Sequence, residues 1–228
     1  MSFKVYLFNI ILKMSKRLSR RGLNDFVSIE TASMEGRLLD LGCGGMGCGF
    51  GGCHQLLGTR SIGVDLVFSP AVEVVADAHH LPFCDEAFDG IICTEVLEHL
   101  AHPHVAIGEM QRVLRPGGKL ILSTRFIYPE HDTPHDYFRY TRYGLMLLFA
   151  DWQSVTVKPH HNTVSTFAIL FMRLIMMPRR LQRWLSPFIV MISWVIAALN
   201  PLLAWLLPPD YISTGFLLTA VKTPTEER

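Results

Sequence analysis

An α/β fold built on a parallel sheet is the architecture this sequence predicts, and three observations predict it. Short runs rich in Val, Ile and Leu recur through the middle of the chain, separated by helical or turn segments, which is the pattern of a parallel sheet with crossover connections. The first of these runs, Leu38 to Leu41, passes straight into glycines within the stretch RLLDLGCGGMGCGFGGCH, Arg37 to His54. Glycines directly after a buried strand let the backbone turn sharply and approach a ligand closely. Third, Gly42, Asp65, Asp77, Glu95 and Arg125 all fall at the carboxyl ends of such runs, where ligands of open α/β sheets bind.

Taken in order, residues 3–21 place Phe3, Leu7, Ile10, Ile11, Met14 and Leu18 at spacings of three and four, with lysines and arginines between and after them. That spacing predicts a basic amphipathic helix. It suits either a helix lying on a membrane surface or one that packs on a domain edge with its lysine stems buried. Strands are expected at Leu38–Leu41, at Ser61–Val64 ending in Asp65, at Glu73–Val75, at Phe88–Thr94 and at Lys119–Thr124. A helix from Val105 to Leu114 and a turn at Arg115-Pro-Gly-Gly118 precede the fifth. After the polar, aromatic stretch FIYPEHDTPHDYFRYTRYG come a helix near Gly144–Ala150, a strand at Val155–Pro159 and a last strand at 214–222.

The net charge of +1 conceals a segregation. Residues 1–24 hold six bases and no acid, and Trp152 to Pro209 again holds no acid, while nearly all acids lie between Asp25 and Asp151. Basic, apolar flanks around an acidic middle point to anionic lipid as a partner and away from nucleic acid. The spacing of Cys43, Cys48, Cys53 and His54 matches none of the usual zinc patterns. The five cysteines therefore read as reduced thiols of a cytosolic protein, and no metal site is expected. Three parts follow: a basic helix over 1–24, a sheet domain over 25–162 and 210–224, and a hydrophobic helical insertion over 163–209.

The segments LLDLGCGG, GVDL, ADAHHLPF, FDGIICTEVLEHL and LRPGGKLILSTR, in that order, resemble the class I methyltransferases that use S-adenosylmethionine, over roughly Arg37 to Lys158 plus the last strand. The resemblance implies a Rossmann-like seven-stranded sheet whose last strand is antiparallel, with the hydrophobic insertion placed before it. By the same resemblance Asp40, Gly42 and Gly44 pack against the methionine part of the cofactor. Asp65, followed by Leu66, accepts hydrogen bonds from the ribose, Asp77 and Ala78 recognise the adenine, and Thr94 and Glu95 line the cofactor near the sulfonium. The family's third loop glycine falls at Met46, with Gly45 and Gly47 beside it. A nicotinamide cofactor is the competing reading of the glycines, because Gly42-x-Gly44-x-x-Gly47 fits a dinucleotide-binding turn and Asp65 stands 18 residues beyond Gly47. Asp77-Ala78 and Glu95 to His99 have no role in it.

Pro134 to Thr141 packs a base, an acid, a cation and three aromatics into eight residues and resembles a segment of methyltransferases associated with bacterial surface polysaccharides and lipid-linked sugars. Transfer to a hydroxyl needs the acceptor held in line and its proton removed. His135 is the expected general base, with Asp136 orienting it or sharing the task, and Arg139 gripping a phosphate or carboxylate of the acceptor. The alternative is structural: Asp136 and Arg139 pair to pin the loop and His135 caps a turn. His131 and His99 are lesser candidates, and His79, His80, His102, His104, His160 and His161 read as surface or loop histidines.

Trp184 to Pro209 carries no charge and has the length of a membrane span, interrupted by Pro187, Asn200-Pro201 and Pro208-Pro209. A single crossing would strand the last strand on the far side, and two crossings would put Arg179, Arg180 and Arg183 outside, against the usual charge bias. A shallow helical hairpin in one leaflet satisfies both constraints; an apolar lid or dimer contact is the alternative. The expectation is thus a methyltransferase peripheral or monotopic on the inner face of the membrane, acting on a small-molecule or lipid-linked acceptor. A non-catalytic membrane module retaining the fold is the rival.

Overall fold

The computed structural model describes residues 20, 22–44, 61–174 and 180–224. The expected N-terminal helix over 3–21, apart from Arg20, and the glycine stretch beyond Gly44, Met46 included, lie outside the described residues. The chain divides into two compact units. Of the described residues, one holds those within 24–126, 130–158 and 216–224; the other holds those within 127–129 and 159–215, with Arg20, Gly22 and Leu23.

The described elements are α1 (Leu23–Thr31), β1 (Leu38–Leu41), β2 (Ser61–Asp65), β3 (Val74–Val75), β4 (Phe88–Thr94), α2 (Pro103–Val113), β5 (Leu114–Arg125), α3 (Arg142–Leu148), β6 (Gln153–Pro159), α4 (Thr163–Arg173), α5 (Arg180–Ala198), α6 (Asn200–Leu206) and β7 (Gly215–Val221). The strands form one seven-stranded sheet in the order β3-β2-β1-β4-β5-β7-β6. β1 pairs in parallel with β2 and β4, β2 with β3, and β4 with β5. Gly117 at the start of β5 donates to Lys222 beyond the end of β7, and Ile127 beyond the end of β5 donates to Ser213 ahead of β7. β7 therefore runs antiparallel to β5, as the resemblance implied.

All of β1 is buried, and six of the seven residues of β4 are. A strand covered on both faces has no polar face to show, which is why these two read as continuous apolar runs. Leu39, Leu41, Phe88, Ile91, Met110, Leu120, Leu122 and Phe149 anchor the core, each contributing roughly 1.5–3 kcal/mol by leaving water. β6 at the sheet's edge behaves differently: Val155 and Val157 pack on the core while Thr156 and Lys158 are exposed. A lysine and a terminal proline on an edge strand discourage further pairing.

Two local expectations change. The turn expected at Arg115–Gly118 is part of β5, because Gly117 N–H and Gly118 carbonyl both bond Lys222 (3.0 and 2.9 Å) and Gly117 takes φ +73 to do so. α1 went unanticipated; Val27 is buried, and Lys119 Nζ from β5 ties to Glu30 Oε2 at 2.5 Å.

In the helical unit, α4 packs on α5 through Ala168, Ile169, Met172 and Ile189. The axis bends by 64° between Pro187–Ala198 and Asn200–Leu206. Pro201 sits in the first turn of α6, where its missing N–H costs nothing. His160 and His161, expected as surface or loop histidines, lie in the loop between β6 and α4 but are buried there, with His161 Nδ1 2.7 Å from Thr214 Oγ1. A hydrogen bond of that kind is what lets an imidazole stay inside.

Candidate functional site

The strand order reverses between β1 and β4, since β1 leads to β2 on one side and β4 to β5 on the other. Ligands of open α/β sheets bind at such a switch point, beyond the carboxyl ends of the strands. Gly42 follows β1 there with φ +75, and Gly44 has φ +108. A Cβ on Gly42 would lie 2.1 Å from Val96 Cγ2, so the chain after β1 presses on the chain after β4 at a distance only glycine permits.

Asp65 closes β2. Its carboxylate accepts from the Gly44 N–H (3.1 Å) and the Val67 N–H (3.0 Å), fixing an acceptor pair beside the glycine turn. Leu66 beside it is exposed, as are Val67 and Phe68, which leaves an apolar shelf next to the acid. Ser69 Oγ donates to the Gly44 carbonyl at 2.8 Å and completes the brace. Asp77 is exposed and held by the His79 N–H (2.9 Å) and ring (2.5 Å); the His79 N–H foremost keeps its carboxyl below the usual range. Ala78, the next residue, is buried. Asp40 is fully buried. Cys43 is buried too, and burial, with Asp40 and Asp65 nearby, pushes its thiol up to about 12, so it is an inert packing thiol.

At the end of β4, Thr94 is buried and Glu95 takes φ +60, an uncommon backbone for a side chain of this type. Such outliers persist where surroundings over-determine them. Here Ser123 Oγ donates to Glu95 Oε1 (2.7 Å), Arg125 pairs with its other oxygen, and the Ser123 carbonyl takes its N–H (2.9 Å). Three residues on, Glu98 lies in a short 3-10 turn, Leu97–His99, and is fully buried. Its Oε2 accepts from Thr124 Oγ1 at 2.7 Å, while Oε1 has no partner among the described residues. Burial first, and the Glu95 charge second, push the Glu98 carboxyl up to about 8. The sequence displayed Glu98 and Thr124 but gave no sign that they meet.

The Pro134–Thr141 segment corrects one assignment. Asp136 does not orient His135. Both its oxygens engage Arg139 at 2.6 Å, and one also accepts the His131 N–H at 2.9 Å. Burial works against charge on Asp136, but these hydrogen bonds outweigh it and hold the carboxyl at about 2. Arg139, expected to grip an acceptor anion, is spent on this bidentate pair. The physical reason is the spacing: an acid and an arginine three residues apart reach each other before anything else does. His135 instead places Nδ1 2.9 Å from Tyr137 Oη, and its N–H bonds Asp132 in a turn. Tyr137 and Phe138 are exposed, whereas Tyr140 is buried with its hydroxyl donating to the Leu97 carbonyl (3.2 Å). The His135 carbonyl sits 2.6 Å from His99 Nδ1, so the segment is tied to the turn after β4.

The methyltransferase-domain family matches residues 39–122. Ubiquinone biosynthesis O-methyltransferase of Xanthomonas oryzae pv. oryzae is 33% identical over 117 residues, covering 44% of this chain and 47% of that protein. A ubiquinone/menaquinone biosynthesis C-methyltransferase of Bordetella avium is 46% identical over 48 residues, covering 21% and 19%. The matches thus span about half, or less, of the length of these relatives. Among solved structures, the [4+2]-cyclase SpnF aligns with TM-score 0.56 at 19% identity, over 89% of this chain and 80% of that one. Haemonchus contortus phosphoethanolamine N-methyltransferase 2, with S-adenosylmethionine bound, aligns with TM-score 0.54 at 15% identity, over 90% and 53%. Gly42, Gly44, Asp65 and Glu95 thus stand on the strand ends of a seven-stranded sheet whose residues 39–122 match the methyltransferase-domain family, and the fold is shared with a solved methyltransferase that holds S-adenosylmethionine.

Proposed function

We propose that this chain moves a methyl group from S-adenosylmethionine to an oxygen on the polar head of a membrane-borne acceptor, either a lipid-linked saccharide or a ring carried on a lipid-like tail. The second class enters because relatives are named for ubiquinone biosynthesis. The observation that carries methyl transfer is the approach of Gly42 to Val96 beside the acceptor pair of Asp65. Glycine turn, ribose acid and the braced Glu95 suit the cofactor's amino acid, ribose and sulfonium neighbourhood.

Bound there, S-adenosylmethionine supplies an activated methyl and its own leaving group. The chain's residues do the rest. The Gly42–Gly44 backbone and Asp65 hold the cofactor's polar ends, Asp77 and the Ala78 backbone flank the base, and His135 takes the acceptor proton.

The membrane part rests on the helical unit. Phe188, Met191, Val195, Leu202, Leu206 and Trp205, the last 84% exposed, present apolar surface to solvent along α5 and α6. No described helix is by itself long and apolar enough to cross a bilayer. A bent apolar pair within a stretch that has bases and no acids suits insertion into one leaflet of an anionic membrane. The free Cys43, Cys84 and Cys93 suit its reducing, cytoplasmic side.

Calorimetric titration with S-adenosylmethionine, S-adenosylhomocysteine and NAD tests the first half. Binding of the sulfur compounds and not of NAD is expected; silence from both sulfur compounds sinks methyl transfer. Release of S-adenosylhomocysteine is then compared with acceptors offered in anionic vesicles and in detergent-free solution. Equal turnover on short-chain soluble acceptors overturns the membrane part. Because the cyclase SpnF shares the fold, cofactor binding without S-adenosylhomocysteine release across both acceptor classes favours a non-methylating role.

A further inference from the structure

Three ligand-type side chains meet just past β4 and are used by none of the cofactor contacts. Glu98, His99 and His131 each bring one ligand atom within 4.8 Å of the others. No cysteine spacing in the chain matches a usual zinc pattern, and this trio shows no local signature because His131 lies 32 residues beyond His99. We propose that Glu98, His99 and His131 bind a divalent transition-metal ion of the zinc class, leaving at least one coordination position for an outside oxygen.

The first argument is Glu98. It is fully buried, one carboxylate oxygen is anchored by Thr124, and the other has no partner among the described residues. Buried carboxylates without partners are costly and are characteristically paired or metal-bound. The second argument is His99. Its Nδ1 stands 2.6 Å from the His135 carbonyl, an oxygen that only accepts, so Nδ1 carries the proton and Nε2 keeps its lone pair. A histidine that donates one nitrogen to a backbone carbonyl is oriented as metal-binding histidines are. The third is His131. Its backbone N–H is fixed by Asp136, whose carboxylate also stands 3.4 Å from His131 Nδ1, and its ring meets that of His99 edge-on at 4.8 Å.

Two imidazoles and a carboxylate with one place open is the donor set of catalytic zinc sites. Ligand atoms about 2.1 Å from one ion lie at most about 4.2 Å apart, so the trio must draw in slightly, a motion side-chain rotation supplies. Its place beside Glu95 and His135 gives the ion a use: it would grip the acceptor's oxygen and ease loss of its proton. That use rests on the methyl-transfer reading, whereas the site itself does not.

The full-length protein, stripped with chelator, is titrated with Co²⁺ while its d–d absorption is followed, and then with Zn²⁺ in competition. One ion per chain is expected, with Zn²⁺ displacing Co²⁺. Glu98→Gln, which keeps the Thr124 bond, His99→Ala and His131→Ala should each weaken binding at least tenfold, with folding checked by near-ultraviolet circular dichroism. His131→Asn replaces any variant that does not fold. Absence of saturable binding overturns the site, and so does binding at undiminished affinity in the folded variants, which would place the ion elsewhere. S-adenosylmethionine titration of the same samples reads the methyltransferase reading independently.

Discussion

The turn after β4 and the segment Pro134–Thr141 are both dense in acids, bases and aromatics, yet they spend them in opposite ways. In the second, Asp136 and Arg139 cancel each other through two short hydrogen bonds, and the aromatics are half exposed or support the loop. In the first, Glu95 is held on a strained backbone and Glu98 is buried with one oxygen that no described residue engages. A crowd of reactive residue types in sequence does not make a site, because neighbours at helical or turn spacing satisfy one another. Unspent chemistry collects where the fold forces burial.

The largest effect that would test this contrast belongs to Gly42, which lets the two strand ends meet. Gly42→Val puts atoms inside Val96 and forces a left-handed backbone on a β-branched residue. Overpacking of about 3 kcal/mol predicts a loss of S-adenosylmethionine affinity of ~100-fold, read by calorimetry. Undiminished affinity would mean the cofactor does not use this crevice.

Next comes the self-cancelled pair. Asp136→Ala takes the bidentate carboxylate from Arg139 and leaves it the bond to the Phe138 carbonyl; since that guanidinium is also about a quarter exposed, the cost should sit below the range for fully buried pairs, at about 2 kcal/mol. Thermal unfolding should show the drop while cofactor affinity holds. The double replacement Asp136→Ala with Arg139→Ala should recover part of it. If the single variant instead keeps its stability and loses turnover, Asp136 belongs to the chemistry after all and the contrast between the two segments fails.

Asp65→Ala is expected to cost roughly 1–3 kcal/mol in cofactor binding, the usual range for a hydrogen bond to a charged group. Calorimetry reads it directly, with unchanged affinity removing the ribose assignment. The loop beside it would lose its ties at Gly44 and Val67, so the same variant should shed a little thermal stability.

How much of this was legible in the sequence follows from the range of the forces involved. β1 and β4 were plain because a strand buried on both faces must be apolar along its length. Gly42 was plain because a strand running into glycine has few other purposes. The extension of β5 through Arg115–Gly118 was not, since it depends on Lys222 more than a hundred residues away. Glu98 was hidden for the same reason: its burial and its bond to Thr124 are set by how β4 lies on β5. The Asp136–Arg139 pair was readable in its spacing, and the sequence admitted it as the alternative to catalysis.

The smallest effect bears on what the Pro134–Thr141 segment keeps in reserve. His135 is its one base that the ion pair does not absorb, and Tyr137 Oη stands 2.9 Å from His135 Nδ1. If Nδ1 carries the proton and donates it to the phenol oxygen, Nε2 holds a lone pair and can take the acceptor's proton. If the phenol donates instead, Nε2 carries hydrogen and His135 cannot act as a base there. Tyr137→Phe removes only an exposed hydroxyl, so stability should shift by no more than about 0.5 kcal/mol and cofactor affinity not at all. Loss of the tautomer lock should lower turnover a few-fold at unchanged KM. His135→Ala should lower it much further with cofactor binding intact, and a variant with full activity would return the whole segment to a structural role, leaving Glu98, His99 and His131 as the groups that meet the acceptor.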